Sequence, residues 1–237
     1  MPRQIFYTYS ASAPPANPDE NSTLYVAPLP YAVGYYKAIA KDEGVFSEVV
    51  SNSFGVSPTD YIHYYPFTTD FDDHVGTNNM INYGVTIQNN KAEFDENTDL
   101  LTLTNAITSS ELTLVLNMTF VDLTGAIFNG VSINYNMLCF NSGKLSFYST
   151  NGYNDSTFTP VANIEYEIVL VKNGSNVKLY VDKVNYLNSD NGIDNSIEQF
   201  KNLGNVGTGQ QLYSENGYYS EFKIFNRVLS QEEINLL

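Results

Sequence analysis

The run ELTLVLNMTF over residues 111–120 constrains this chain more than any other stretch. Leu112, Leu114, Leu116, Met118 and Phe120 alternate with Thr113, Val115, Asn117 and Thr119, so one face of the segment is wholly apolar. A period of two is what a strand lying on a core requires. Ile168 to Val171 is instead a near-continuous apolar run, as in a strand covered on both faces. Asn173-Gly174-Ser175-Asn176 then reads as a hairpin loop, with Val177, Leu179 and Val181 on the returning strand. From about residue 61 onward short strands follow one another between turn residues, with no helical period among them. The pattern predicts an all-β fold, an antiparallel sandwich or jelly roll. A chain of 237 residues is long enough for one such domain, or for a domain and an arm.

The two ends read differently. Residues 217–237, GYYSEFKIFNRVLSQEEINLL, alternate as a strand through Phe222 and Ile224, turn at Asn226-Arg227 and enter a short helix. Ser230 stands three residues before Glu233, the spacing of a capping box, and Leu229 and Ile234 flank it where a hydrophobic staple belongs. At the other end, residues 1–22 pass from a short aromatic run into a Pro/Ala/Asn/Ser segment and read as an extended arm. Residues 31–51 hold the other helix candidate, with Ile39, Phe46 and Val49 roughly on one face and Gly34 and Gly44 weakening it. The chain is thus expected to divide into an N-terminal attachment segment, 1–60, and a jelly roll, 61–237.

Composition excludes several functions. With 11 basic and 26 acidic residues the net charge is −15, which repels phosphate backbones and anionic lipid. Neither nucleic acid nor a membrane surface is expected as a partner. No apolar run approaches a membrane span, and residues 1–30, broken by prolines, do not read as a secretory signal. Cys139 is the lone cysteine and sits in a hydrophobic run, so it reads as a core residue rather than a nucleophile or half of a disulfide.

Four segments carry a family resemblance. YYPFTTDFDDHVG (64–76), FDENTDLLTL (94–103), VLVKNGSNVKLYVDKVNY (169–186) and the C-terminal FKIFNRVLSQEEI (222–234) occur in the order seen in laminin-G-like jelly rolls of the concanavalin-A-like superfamily. The chain resembles those domains over most of residues 62–237. It departs from them where Tyr166 replaces a frequent Trp, where Glu96 and Lys183 replace glycines, and where Ser220-Glu221 stands for an acidic pair.

The superfamily includes glucanases, whose E-x-D-x-x-E or E-x-D-x-E motif sets alternate carboxylates about 5–5.5 Å apart on one face. Glu93-Phe94-Asp95 begins like it, but residues 97 and 98 are Asn and Thr, so the third acid is missing and no catalysis is expected. Asp95 and Asp99 read as loop carboxylates. Asp70, Asp72 and Asp73 cluster as oxygen ligands for Ca²⁺ would; the resemblance implies a calcium site shared between that loop and the start of the last strand, where Glu221 stands. Tyr148, Tyr153, Tyr213, Tyr218 and Tyr219 lie in or near loops or strand ends and are the candidates for stacking on sugar rings.

Laminin-G-like jelly rolls recur in virus appendages. The resemblance and the arm-like N-terminal quarter together imply a non-enzymatic structural and adhesive protein of a virion, a bacteriophage head fibre, decoration or tail protein. Its expected partners are further copies of itself and other virion proteins through residues 1–60, and host surface carbohydrate through the jelly roll. The alternatives are a cellular or extracellular carbohydrate-binding lectin module and a glycoside hydrolase of the same superfamily.

Overall fold

A computed structural model describes residues 3–10, 14–26, 34–54, 59–96, 98–130, 137–149, 152–190, 200–204 and 216–237. The chain divides into two compact units, one of Met1–Thr59 with Ser230–Leu237 and one of Asp60–Leu229. In chain order the first unit contributes β1 (Gln4–Ser10), β2 (Thr23–Leu24), β3 (Gly34–Asp42), β4 (Val45–Phe46) and β5 (Val50–Phe54). The second contributes β6 (His63–Tyr65), β7 (Met80–Tyr83), β8 (Thr86–Gln88), β9 (Lys91–Phe94) and β10 (Leu100–Ile107). It continues with β11 (Glu111–Phe120), β12 (Ala126–Gly130), β13 (Met137–Asn141), β14 (Lys144–Ser149) and β15 (Gly152–Asp155). It closes with β16 (Glu165–Asn173), β17 (Asn176–Val181), β18 (Val184–Ser189), β19 (Phe200–Gly204) and β20 (Gly217–Phe225).

The second unit is the expected sandwich. One sheet runs β18-β17-β16-β11-β20-β9-β8, with β6 also on β20; the other runs β15-β14-β13-β12-β19-β10-β7. Every pairing is antiparallel. β11 sits between β16 and β20, and its Leu112, Leu114, Leu116, Met118 and Phe120 all enter the core. Phe128 of one sheet meets Phe222 of the other at 5.4 Å between ring centroids, and Phe200 stacks on Phe128 at 5.2 Å. Phenylalanine and tyrosine thus join the sheets in a chain with no tryptophan; each buried ring contributes about 1.5–3 kcal/mol. Tyr166, in the place of the family's Trp, is buried and its hydroxyl accepts from the Val161 N–H at 3.1 Å. A void lined by Leu114, Leu116, Phe128, Leu138, Ile168 and Phe222 measures about 10 Å³, room for one water at most, so no ligand enters here.

The outer side of β11 is closed too. Thr113 is fully buried, donating to Arg227 O at 2.8 Å and accepting from Leu229 N–H at 3.1 Å. Arg227 in turn holds Asp60 through two nitrogens, at 2.6 and 2.8 Å. The capping box forms as expected on α1 (Gln231–Ile234): Ser230 Oγ accepts from Glu233 N–H, and Glu233 Oε2 from Ser230 N–H at 2.8 Å.

Residues 31–51 are not a helix. Gly34–Asp42 is a strand, and Glu43 and Gly44 both take positive φ (48° and 86°), which makes a two-residue hairpin turn before Val45. The aromatic and β-branched residues of GYYKAIA prefer that extended form once β1 and β5 supply partners on either side. In place of a single extended arm, the described part of residues 1–59 is a sheet of its own, because β1 pairs with β3 along its whole length, from Gln4↔Lys41 to Ser10↔Tyr35. A similar two-residue turn ends β17, where Lys183 takes φ +70° at the position of the family's glycine.

The core argument rests on β11. Leu116→Asp is expected to place an unpaired charge between the sheets and cost more than about 4 kcal/mol. Thermal denaturation checks it; a variant that melts with the wild type would contradict the register of β11.

Candidate functional site

The seven-stranded sheet buries Leu138, Leu145 and Phe147 in the core, so the alternate residues of β13 and β14 lie on its outer face. Register then carries that face onto the edge strand: Tyr148 pairs with Tyr153, Ser146 with Asp155, and Cys139 with Ser146. Tyr148 and Tyr153 meet at 4.7 Å between centroids with planes 56° apart, and Tyr153 stays 48% exposed. Beside them Asp155 Oδ1 accepts from Asn141 Nδ2 and from Ser146 Oγ, each at 2.8 Å. These two donors, with the Lys144 charge behind them, hold the Asp155 carboxyl below the usual carboxylate range. Cys139 lies beneath, 2% exposed; burial first and the Asp155 charge second push its thiol up to about 12, so it stays protonated. The patch therefore offers a propped aromatic ledge, a fixed anionic acceptor and an amide, with no activated nucleophile. It can stack on the apolar face of a ring and receive hydroxyl hydrogens.

A second polar row crosses the same face and is self-contained. Thr102 Oγ1 donates to Asn202 Oδ1, Asn202 Nδ2 to Asn129 Oδ1 and Gly130 O, and Asn129 Nδ2 to Gly204 O, at 3.0–3.2 Å. Asn129 is fully buried and Asn202 nearly so. These amides spend their donors on the sheet.

The other expected sugar contacts separate. Tyr219 is wholly buried, 4.5 Å from Phe94 between centroids, and presents no face for stacking; the alternation of β20 turns it inward with Phe222 and Ile224. Tyr218 points the other way on the eight-stranded sheet, and its hydrogen bond to Glu93 raises its phenol. Tyr213 lies outside the described residues. Asp155, Asn141 and Ser146 escaped the sequence reading. Period two from Tyr153 would have found Asp155, but the partners on β13 and β14 need the register.

The calcium expectation is not met by the carboxylates present. Asp73 is buried and its Oδ1 accepts from the N–H groups of Tyr64, Val75 and Gly76, its Oδ2 from Asn78 N–H and from the His63 ring at 2.6 Å. Asp70 is taken by His74 at 3.0 Å and by Asp72 N–H at 3.1 Å. Glu221 binds Lys223 at 2.9 Å and accepts from Asn117 Nδ2 at 3.1 Å. Backbone amides and neighbouring side chains thus hold Asp73, Asp70 Oδ1 and Glu221, and the described residues hold no cluster of three or more metal-ligating side chains. Asp99 serves its own loop likewise, accepting from the N–H groups of Asp95 and Glu96.

Burial alone would raise the Asp73 carboxyl, but the N–H groups of Gly76, Asn78 and Tyr64 and the His63 ring outweigh it and hold it at about 2. A carboxyl lowered on folding stabilises above its unfolded value, near 3.9, and that stability is lost as pH falls toward 2. We expect excess chelator to leave the melting temperature unchanged. Asp73→Asn should lower it at pH 7 and flatten the acid limb of the stability curve; a chelator-sensitive wild type would contradict this account.

Residues 86–235 match the profile of the concanavalin A-like lectin/glucanases superfamily. Comparison with curated proteins gives no match. Solved structures share the fold at low identity. Domain 4 of a GH43 extracellular arabinanase from Geobacillus stearothermophilus, in complex with arabinotriose, is 12% identical with a TM-score of 0.57, over 74% of this chain and 97% of that one. Trypanosoma rangeli sialidase in complex with 2,3-difluorosialic acid is 11% identical with a TM-score of 0.60, over 86% of this chain and 42% of that one. The botulinum neurotoxin serotype D ligand-binding domain in complex with N-acetylneuraminic acid is 16% identical with a TM-score of 0.56, over 75% and 50%. This chain therefore spans less than half of the sialidase and half of the toxin fragment. Strand order, the inward alternation of β11 and β20 and the profile match agree, and the chain belongs to the concanavalin A-like lectin/glucanases superfamily.

Proposed function

We propose that this chain is a non-enzymatic adhesive module that holds a carbohydrate on the outer face of its seven-stranded sheet and is carried by a larger assembly through its N-terminal sheet. The observation that carries the reading is the β14–β15 hairpin, where Tyr148 and Tyr153 stand beside a carboxylate fixed by Asn141 and Ser146. Its rings and acceptors are the groups a sugar needs, and the fold relatives solved with arabinotriose and N-acetylneuraminic acid support the ligand class. Binding without cleavage is supported by the charge pattern. A retaining glycosidase sets two carboxyls about 5–5.5 Å apart, whereas among the described residues Asp155 is the carboxylate whose charge bears on the Tyr153 phenol.

The attachment role rests on the sheet of the first unit. Its register places Ile5, Tyr7, Tyr9, Tyr36, Ala38, Ala40 and Val50 on one face. Lys37 and Lys41 lie on the other, bound to Asn17 and Glu20. The first face leaves Ile5 39%, Tyr9 43% and Val50 68% exposed, with Asp42 at its end. On a chain of net charge −15, a face this poor in charge is where like copies meet at low electrostatic cost. The assembly we propose is a virus particle, a bacteriophage head fibre, decoration or tail appendage, a reading supported by the recurrence of laminin-G-like jelly rolls in virus appendages.

Two measurements test this reading. On an array of host-surface oligosaccharides the full chain should bind, and Tyr153→Ala should weaken binding about tenfold or more without moving the melting temperature; an array that stays blank would overturn it. In sedimentation the full chain should be an oligomer that Ile5→Lys with Val50→Lys converts to a folded monomer. A wild type that sediments as a monomer at high micromolar concentration would remove the attachment role.

A further inference from the structure

We propose that the Tyr148–Tyr153–Asp155 patch selects neutral glycans and rejects acidic ones, with Asp155 the residue that sets the selection; this rests on the carbohydrate-binding reading above. The geometry gives Asp155 one free valence. Both protein donors converge on Oδ1, from Asn141 Nδ2 and Ser146 Oγ at 2.8 Å each, and Oδ2 has no partner among the described residues. Ser146 is fully buried and has one hydroxyl hydrogen to give; Asp155, at 2.8 Å, lies closer than the Lys144 carbonyl at 3.3 Å. The carboxylate is therefore held through one oxygen on the same face as the Tyr148–Tyr153 rings, and its second oxygen is left for a ligand. A sugar hydroxyl completes that oxygen as a donor. A sugar carboxylate placed there would set two anions within contact distance, and their repulsion opposes binding.

Nothing in the arginine complement offsets the repulsion. Carboxylates of acidic sugars are held best by a planar fork of N–H donors. The chain has two arginines, Arg3 and Arg227. In the unit that carries the patch the arginine is Arg227, and it is committed to Asp60 through Nε and Nη2. Lys144 is the cation whose charge bears on Asp155, and it already offsets that carboxylate. Two fold relatives were solved with acidic sugars, and the selection proposed here excludes that class from this patch.

Matched probes decide the matter on the full chain: lactose and N-acetyllactosamine against 3′-sialyllactose and 3′-sialyl-N-acetyllactosamine, by titration calorimetry and saturation-transfer NMR. The wild type should bind each neutral member at least tenfold more tightly than its sialylated counterpart, with transfer to the Tyr153 ring. Asp155→Asn, which keeps an acceptor for Asn141 and Ser146, should weaken the neutral member and narrow the gap several-fold. Equal or tighter binding of the sialylated members in a Tyr153-dependent manner would overturn the selection while leaving the carbohydrate reading intact. An unchanged gap in Asp155→Asn would likewise remove Asp155 from the role. Failure of all four sugars, together with a blank array, would overturn both readings.

Discussion

Everything else in the sandwich depends on β11 being paired on both sides. Its backbone is shared by β16 from Glu111 to Thr119 and by β20 from Thr113 to Phe120, so neither edge is open to solvent or to another chain. With the register locked from two directions, a slip of one residue would turn five large apolar side chains out of the core at once. That cost fixes where β20 must lie, and β20 in turn receives β6 and β9. The last segment of the unit returns over β11 through Thr113, which gives the strand a second dry face. The outer face of the opposite sheet keeps its position because Phe128 and Phe222 tie the layers together.

Much of this was legible before any coordinates, and the reasons differ by region. Alternation in 111–120 and the apolar run 168–171 announce their own burial, because a strand between two layers has no other use for such residues. The C-terminal capping box was equally plain, since its two hydrogen bonds are local in sequence. Residues 31–51 misled for the complementary reason. Three apolar residues at loosely helical spacing compete with a turn that needs positive φ at Glu43 and Gly44, and the partners that settle the contest, β1 and β5, are non-local.

The candidate site was half visible. Aromatic residues can be picked out one by one, which found Tyr148 and Tyr153, but the same rule included Tyr219, whose parity on β20 buries it. Carboxylates mislead in the opposite direction. The acidic loop around Asp73 looks like a cation trap in one dimension, and in three it is a knot of backbone amides around a single side chain. Asp155 attracts no notice in the sequence, yet it keeps an oxygen to spare. What decides a carboxylate's role here is the number of amide hydrogens already pointed at it.

The amide row formed by Thr102, Asn202 and Asn129 has a consequence for how this protein could change. Those side chains answer one another and the carbonyls of Gly130 and Gly204, so the middle of the outer face is chemically closed and mechanically stiff. Within its sheet the β14–β15 hairpin is paired with β13 alone, and Asn154 of β15 also accepts from Ser189 Oγ of β18 at 2.8 Å. Evolution or an engineer can therefore rewrite the hairpin's outward residues without disturbing the plate that presents them. The same molecule separates a self-bonded platform from an exchangeable tip, and new ligands can be explored at little risk to folding.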